Sequence, residues 1–138
     1  MTVWILYDWD DRVEGVYSQA GREKREEQLY NEALRQRGAY NEKLAKEIKE
    51  LRDLRKPCII EAEILLDTER AAKENGDMVT MKNIRKQRKI LIKQADRISF
   101  EIGRKEEKIL ASQRMTRKEI LSNYQVHYYW EEYQVIGE

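Results

Sequence analysis

One cysteine, one proline, one histidine and one phenylalanine in 138 residues leave several protein classes without their raw material. Cys58 has no second cysteine to bridge to, which excludes a disulfide scaffold and points to a reducing compartment. His127 and the distant Cys58 supply none of the ligand spacings of a metal site, so no metal and no cofactor are expected. No Gly-x-Ser-x-Gly turn places a nucleophile, and no glycine-rich loop offers backbone amides to phosphate. No residue is therefore assigned a catalytic role, and the chain reads as a non-enzyme. No apolar run approaches the ~20 residues needed to span a bilayer. Met1 to Asp8 lacks the basic start of a signal peptide, so the expectation is a cytoplasmic protein with no membrane partner. With 27 basic and 26 acidic side chains the net charge is +1, which excludes a strong overall field toward nucleic acid.

What is abundant is charge on regular apolar spacing. Charged residues make up 38% of the chain, yet the apolar ones recur in phase, the composition of long solvated helices rather than of disorder. Tyr30, Leu34, Arg37, Asn41, Leu44, Ile48, Leu51, Arg55, Cys58, Ala62, Leu65, Glu69 and Ala72 follow alternating steps of three and four. The phase survives Pro57, which favours one kinked helix over a clean break there. Asn75-Gly76-Asp77 is a turn: Gly76 suits a left-handed helix end and Asp77 a following N-cap. A second seam runs through Met81, Ile84, Arg88, Leu91, Ala95, Ile98, Ile102, Lys105 and Ile109. Folding back at Gly76 sets Ala72 against Met81, Ala62 against Leu91, Cys58 against Ala95 and Leu51 against Ile102. The predicted arm is an antiparallel coiled-coil hairpin roughly 50 Å long at ~1.5 Å per residue.

The ends read differently. Val3–Tyr7 and Val13–Tyr17, joined by an acidic turn, form a β-hairpin over residues 1–18, and Ser18 caps the helix that follows. The turn's Asp8, Asp10 and Asp11 lack the glycine and closing glutamate of a calcium loop, so a solvated turn is preferred to a cation site. Thr116 and Glu119 open a short helix over 116–124. The aromatic stretch 125–137 is a strand too short to stand alone, so it must pair with the N-terminal hairpin. The expected fold is one domain, 1–138, mainly α with a small antiparallel β-sheet (α+β). Its helical hairpin covers 19–112 with the turn at 75–77, and the terminal strands pair at its base.

Two surfaces carry candidate partner-binding residues. Lys82, Arg85, Lys86 and Lys89 share one helix face within the acid-free run 82–93, a stripe suited to phosphates or an acidic protein surface. Glu61, Glu63, Asp67 and Glu69 lie near it in the folded-back register, so internal neutralisation is the preferred reading. Among the aromatics of the ends, half suffice to cover one sheet face. The remainder, with Tyr129 and Tyr133 foremost, would face a partner or a second copy.

The run Val3-Trp4-Ile5-Leu6-Tyr7, then Glu14-Gly15-Val16-Tyr17-Ser18, then Arg22, Glu23 and Lys24 resembles small uncharacterised phage and prophage proteins. Those close on a strand like Tyr129-Trp130-Glu131-Glu132-Tyr133-Gln134-Val135. The resemblance covers about thirty of the 138 residues, and the long arm departs from it. It implies an accessory protein of a phage or mobile element, acting in the host cytoplasm by binding a host protein or ribonucleoprotein, with an anti-CRISPR or other anti-defence factor as the leading case. A homodimer through the aromatic end belongs to this reading. The alternatives are a nucleic-acid-binding accessory using the basic face 82–93, disfavoured by the near-zero net charge, and a structural coiled coil.

Overall fold

The computed structural model describes residues 1–124 and 128–136. His127, with its neighbours 125 and 126, lies outside the described residues. In order, the elements are β1 (Thr2–Tyr7), β2 (Val13–Tyr17), α1 (Gln19–Glu74), α2 (Met78–Gln113), α3 (Arg117–Tyr124) and β3 (Tyr129–Gln134). The fold is mainly α with a small antiparallel sheet, as the periodicities require. The chain divides into two compact units, Glu42–Leu110 and Met1–Asn41 with Ala111–Glu138.

In the unit Glu42–Leu110, α1 and α2 pair antiparallel along the two seams. Leu44, Ile48, Ala72, Met81, Ala95 and Ile102 are its buried apolar residues, and every one is a seam position. Two polar seam residues reach across to the residue beside the opposing seam position. Arg55 donates to Ser99 Oγ at 3.0 Å, and Lys105 reaches Glu47 at 2.8 Å. Such polar layers tie one helix to the other at a single offset, since a slip by one turn would strand a charge against an apolar layer. The helix α1 runs unbroken through Pro57. Proline removes one backbone hydrogen bond, but packing of seam residues on both sides of it holds the phase. At the tip Gly76 takes φ +70°, and Asp77 accepts the Thr80 amide at 3.1 Å and the Thr80 hydroxyl at 2.6 Å. The glycine has no Cβ to oppose the left-handed turn, and the aspartate satisfies an orphan amide of α2.

In the other unit the sheet order is β2-β1-β3, so the N-terminal strand is central. Trp4 pairs with Tyr17 and Glu132, and Leu6 with Gly15 and Trp130. The β1–β2 register slips between Leu6 and Tyr7, leaving Glu14 over. Its freed carboxylate accepts from Arg25 at 3.0 Å and from the Tyr17 hydroxyl at 2.9 Å. Alternation divides the sheet into two faces. Trp4, Leu6, Tyr17 and Trp130 lie on one. There the Arg22 guanidinium of α1 stacks 3.7 Å from the Trp4 ring, Trp130 meets Tyr17 edge-on, and Leu6 is fully buried. Leu29 and Ala33 of α1, with Ile120 of α3, complete the buried apolar set. Asn41 and Ser112 exchange hydrogen bonds of 2.8 and 3.0 Å, again at the fold-back register. Ser18 caps α1 through the Gly21 amide and Thr116 caps α3 through the Glu119 amide, as expected from residue type and spacing. No described helix is long and apolar enough to cross a membrane.

Candidate interaction surfaces

The basic run of α2 is split by one buried glutamate. Glu69, a seam residue of α1 only 5% exposed, accepts from Arg85 Nε at 2.6 Å and from Arg88 at 3.0 Å. The Arg85 hydrogen bond, helped by the charge of Arg88, holds the Glu69 carboxyl below its ordinary value against the opposing effect of desolvation. Two guanidiniums are thereby committed to the hairpin itself. Lys82, Lys86 and Lys89 are exposed and make no ion pair among the described residues. With Val79 and Asn83 they border a shallow depression of about 330 Å³. Of the acids near this stripe, Glu69 alone neutralises it; Glu61, Glu63 and Asp67 form no ion pair among the described residues. Arg85 therefore belongs to the stripe by position but to the hairpin core by bonding.

The second surface is the sheet face turned away from Trp4 and Leu6. Val3, Ile5 and Tyr7 of β1 share it with Val16 and with Tyr129, Glu131 and Tyr133 of β3. Tyr7 and Tyr129 stack at 5.0 Å, and the hydroxyls of Tyr7 and Tyr133 lie 3.3 Å apart. The Tyr133 hydroxyl donates to Glu131 at 2.7 Å, and the Tyr129 hydroxyl donates to Asp11 at 2.6 Å. Both candidate tyrosines are thus about two-fifths exposed yet fixed in place. The acidic turn has its own uses for its carboxylates. Asp8 accepts the amides of Asp10 and Arg12, while Asp11, at φ 60°, holds Tyr129. Among the described residues no group of three or more potential ligands is arranged around a metal position.

The tyrosine geometry carries a pH signature. The hydrogen bond to Asp11, with burial and the charge of that carboxylate behind it, raises the Tyr129 phenol to about 12. Tyr133 is raised as well, first by its hydrogen bond to Tyr7 and then by Glu131. A raised phenol means that the folded state prefers the protonated form. Its stabilising contribution is complete below the ordinary value of 10.0 and is lost as pH climbs through about 12. Ultraviolet titration of the phenolates should therefore find Tyr129 ionising near 12, and in D11N that midpoint should fall back toward 10. An unchanged midpoint in D11N would remove Asp11 as the cause.

Comparison with protein-family models, with curated proteins and with solved structures finds no match for this chain. The fold places it among small α+β proteins carrying a helical hairpin, and the two surfaces above carry the functional argument.

Proposed function

We propose that this protein works by binding another macromolecule rather than by catalysis, and that the lysine ridge of α2 is its docking surface. The observation that supports this most is the division of the basic run. Glu69 neutralises Arg85 and Arg88, while Lys82, Lys86 and Lys89 keep an uncompensated field at three- and four-residue spacing. A row of free lysines beside an apolar side chain, Val79, suits an acidic protein surface, with charge steering the encounter and the apolar contact adding dwell time. The setting proposed is that of a phage or mobile-element accessory protein acting on a host defence component, for which the resemblance of the two ends is the support. The fixed aromatic face with Tyr129 and Tyr133 is the second docking surface of this reading.

The test is affinity capture from host lysate with the wild-type chain, K82E/K86E/K89E and Y129A/Y133A, each with and without nuclease. The lysines lie on a solvated face, so the triple reversal should leave circular dichroism and melting unchanged. The expected result is a nuclease-resistant protein partner retained by the wild type and lost from the triple variant. Capture that vanishes with nuclease would move the reading to nucleic acid, with the steep salt dependence that phosphate contacts impose. Retention at full strength by both variants would remove both surfaces from the mechanism.

A further inference from the structure

The hairpin's apolar stripe is wider than its own pairing needs. A two-stranded seam requires only the alternating three–four positions, whereas an added flanking column is the pattern of helices that pack in a bundle. On one flank of the unit Glu42–Leu110 the middle of that extra column is apolar, between Arg52 and Lys73 on α1 and between Arg85 and Ser99 on α2. Ile59 and Leu66 of α1 and Ile92 of α2 each directly follow a seam position and stand beside the half-buried seam residues Cys58 and Ala62 and the buried Ala95. Together they line a groove of about 300 Å³ running between the two helices. Ile59 remains 42% and Ile92 38% exposed, so the groove is an unfilled apolar surface rather than a closed core.

The rims of the groove say what fits it. Glu63 and Asp96 stand on opposite rims, and Lys56 and Lys89 lie one heptad before each of them on the same helix face. In the fold-back register Lys56 is level with Asp96 and Glu63 is level with Lys89. All four are exposed and make no ion pair among the described residues. This charge map is its own complement. A two-fold axis crossing the helices sets Lys56 against Glu63 of the second copy and Lys89 against its Asp96. A two-fold axis along the groove sets Lys56 against Asp96 and Glu63 against Lys89. Both operations bring every rim charge to an opposite one, and both lay Ile59 and Ile92 into the facing groove.

We propose that this flank is a self-association surface, on which two copies of the chain pair their hairpins into a four-helix bundle. The occupant follows from the alternating rim. At these four positions a uniformly acidic or basic partner would meet two like charges, whereas a second copy meets none. Arg88, which also lines the groove, is paired with Glu69 of its own chain. The proposal does not rest on the function proposed above and places the dimer on the arm rather than on the aromatic sheet. Because Lys89 belongs to both surfaces, K82E/K86E, which spares it, reports on the ridge alone.

Sedimentation equilibrium of the full chain at tens to hundreds of micromolar tests it, with far-UV circular dichroism as the control for folding. The wild type should reach twice its monomer mass. I59E and I92E should each sediment as monomers with unchanged helicity, because both positions are already partly in water. Two charge variants keep the test decisive should the isoleucine changes disturb the fold. K56E/K89E and E63K/D96K should each be monomeric alone, and a mixture of the two should restore the dimer. A wild-type chain that stays monomeric throughout this range overturns the proposal. So does a dimer that persists in I59E and I92E, or a charge-variant mixture that remains monomeric.

Discussion

Ile102→Asp should destabilise the hairpin by about 3–5 kcal/mol, the combined cost of a lost buried side chain and a carboxylate left in an apolar layer. Ile102 is 4% exposed and belongs to the same buried set as Leu44 and Ile48 on the opposite helix. A small domain has only about 5–15 kcal/mol of net stability, so this single change should bring the melting transition down by many degrees or abolish it. The control is Ile64→Asp. Ile64 is the same residue type on the same hairpin but 59% exposed, and its replacement should stay within about 0.5 kcal/mol of the wild type. Denaturant unfolding of the two variants settles the matter. Equal losses would mean that the seam is not the face on which the helices meet.

The second large effect concerns the sheet. A chain ending at Tyr124 lacks β3, and with it every pairing from Thr2–Gln134 to Tyr7–Tyr129. It also loses Trp130, which stands edge-on to Tyr17, and Tyr129, which stacks on Tyr7. What remains is a two-stranded hairpin, marginal in water, with its slipped register next to the turn. The amides of β1 should therefore lose their hydrogen-exchange protection and the tryptophan near-UV signal should collapse. The helicity of the unit Glu42–Leu110 should survive. Full protection of β1 in the truncated chain would show that the two ends of the protein fold independently.

Much of the architecture is written locally. The three–four spacing from Leu44 to Ala72 and from Met81 to Ile102 marks the positions that the hairpin buries, because a helix carries such residues on one side whatever it meets. At the start of α1 Leu29 and Ala33 are buried instead, one residue ahead of Tyr30 and Leu34. Asn75-Gly76-Asp77, Ser18 and Thr116 announce the tip and the caps, since a left-handed φ or an orphan amide is answered by residue type within one turn. The uninterrupted phase across Pro57 likewise carries the information that α1 continues. For the surfaces, the basic stripe and the aromatic excess were legible as composition. The apolar flank at Ile59, Leu66 and Ile92 was not legible in this way, because the same heptad column also carries Arg52, Lys73 and Arg85.

Three matters were decided only by the tertiary structure. Which cations of the stripe are neutralised depends on Glu69, sixteen residues from Arg85 and nineteen from Arg88, and on the reach of guanidiniums that nearby lysines do not share. Which aromatics share the Trp4 face depends on the register of β3 on β1, because the pairs Leu6–Trp130, Tyr7–Tyr129 and Val3–Tyr133 put Trp130 on that face and Tyr129 and Tyr133 on the other. That Asp11 accepts the Tyr129 hydroxyl depends on a contact spanning 118 residues. Periodicity and capping are properties of a few consecutive residues, so the sequence alone determines them. Ion-pair choice and facing are differences in distance between remote segments, and only the folded chain contains those distances.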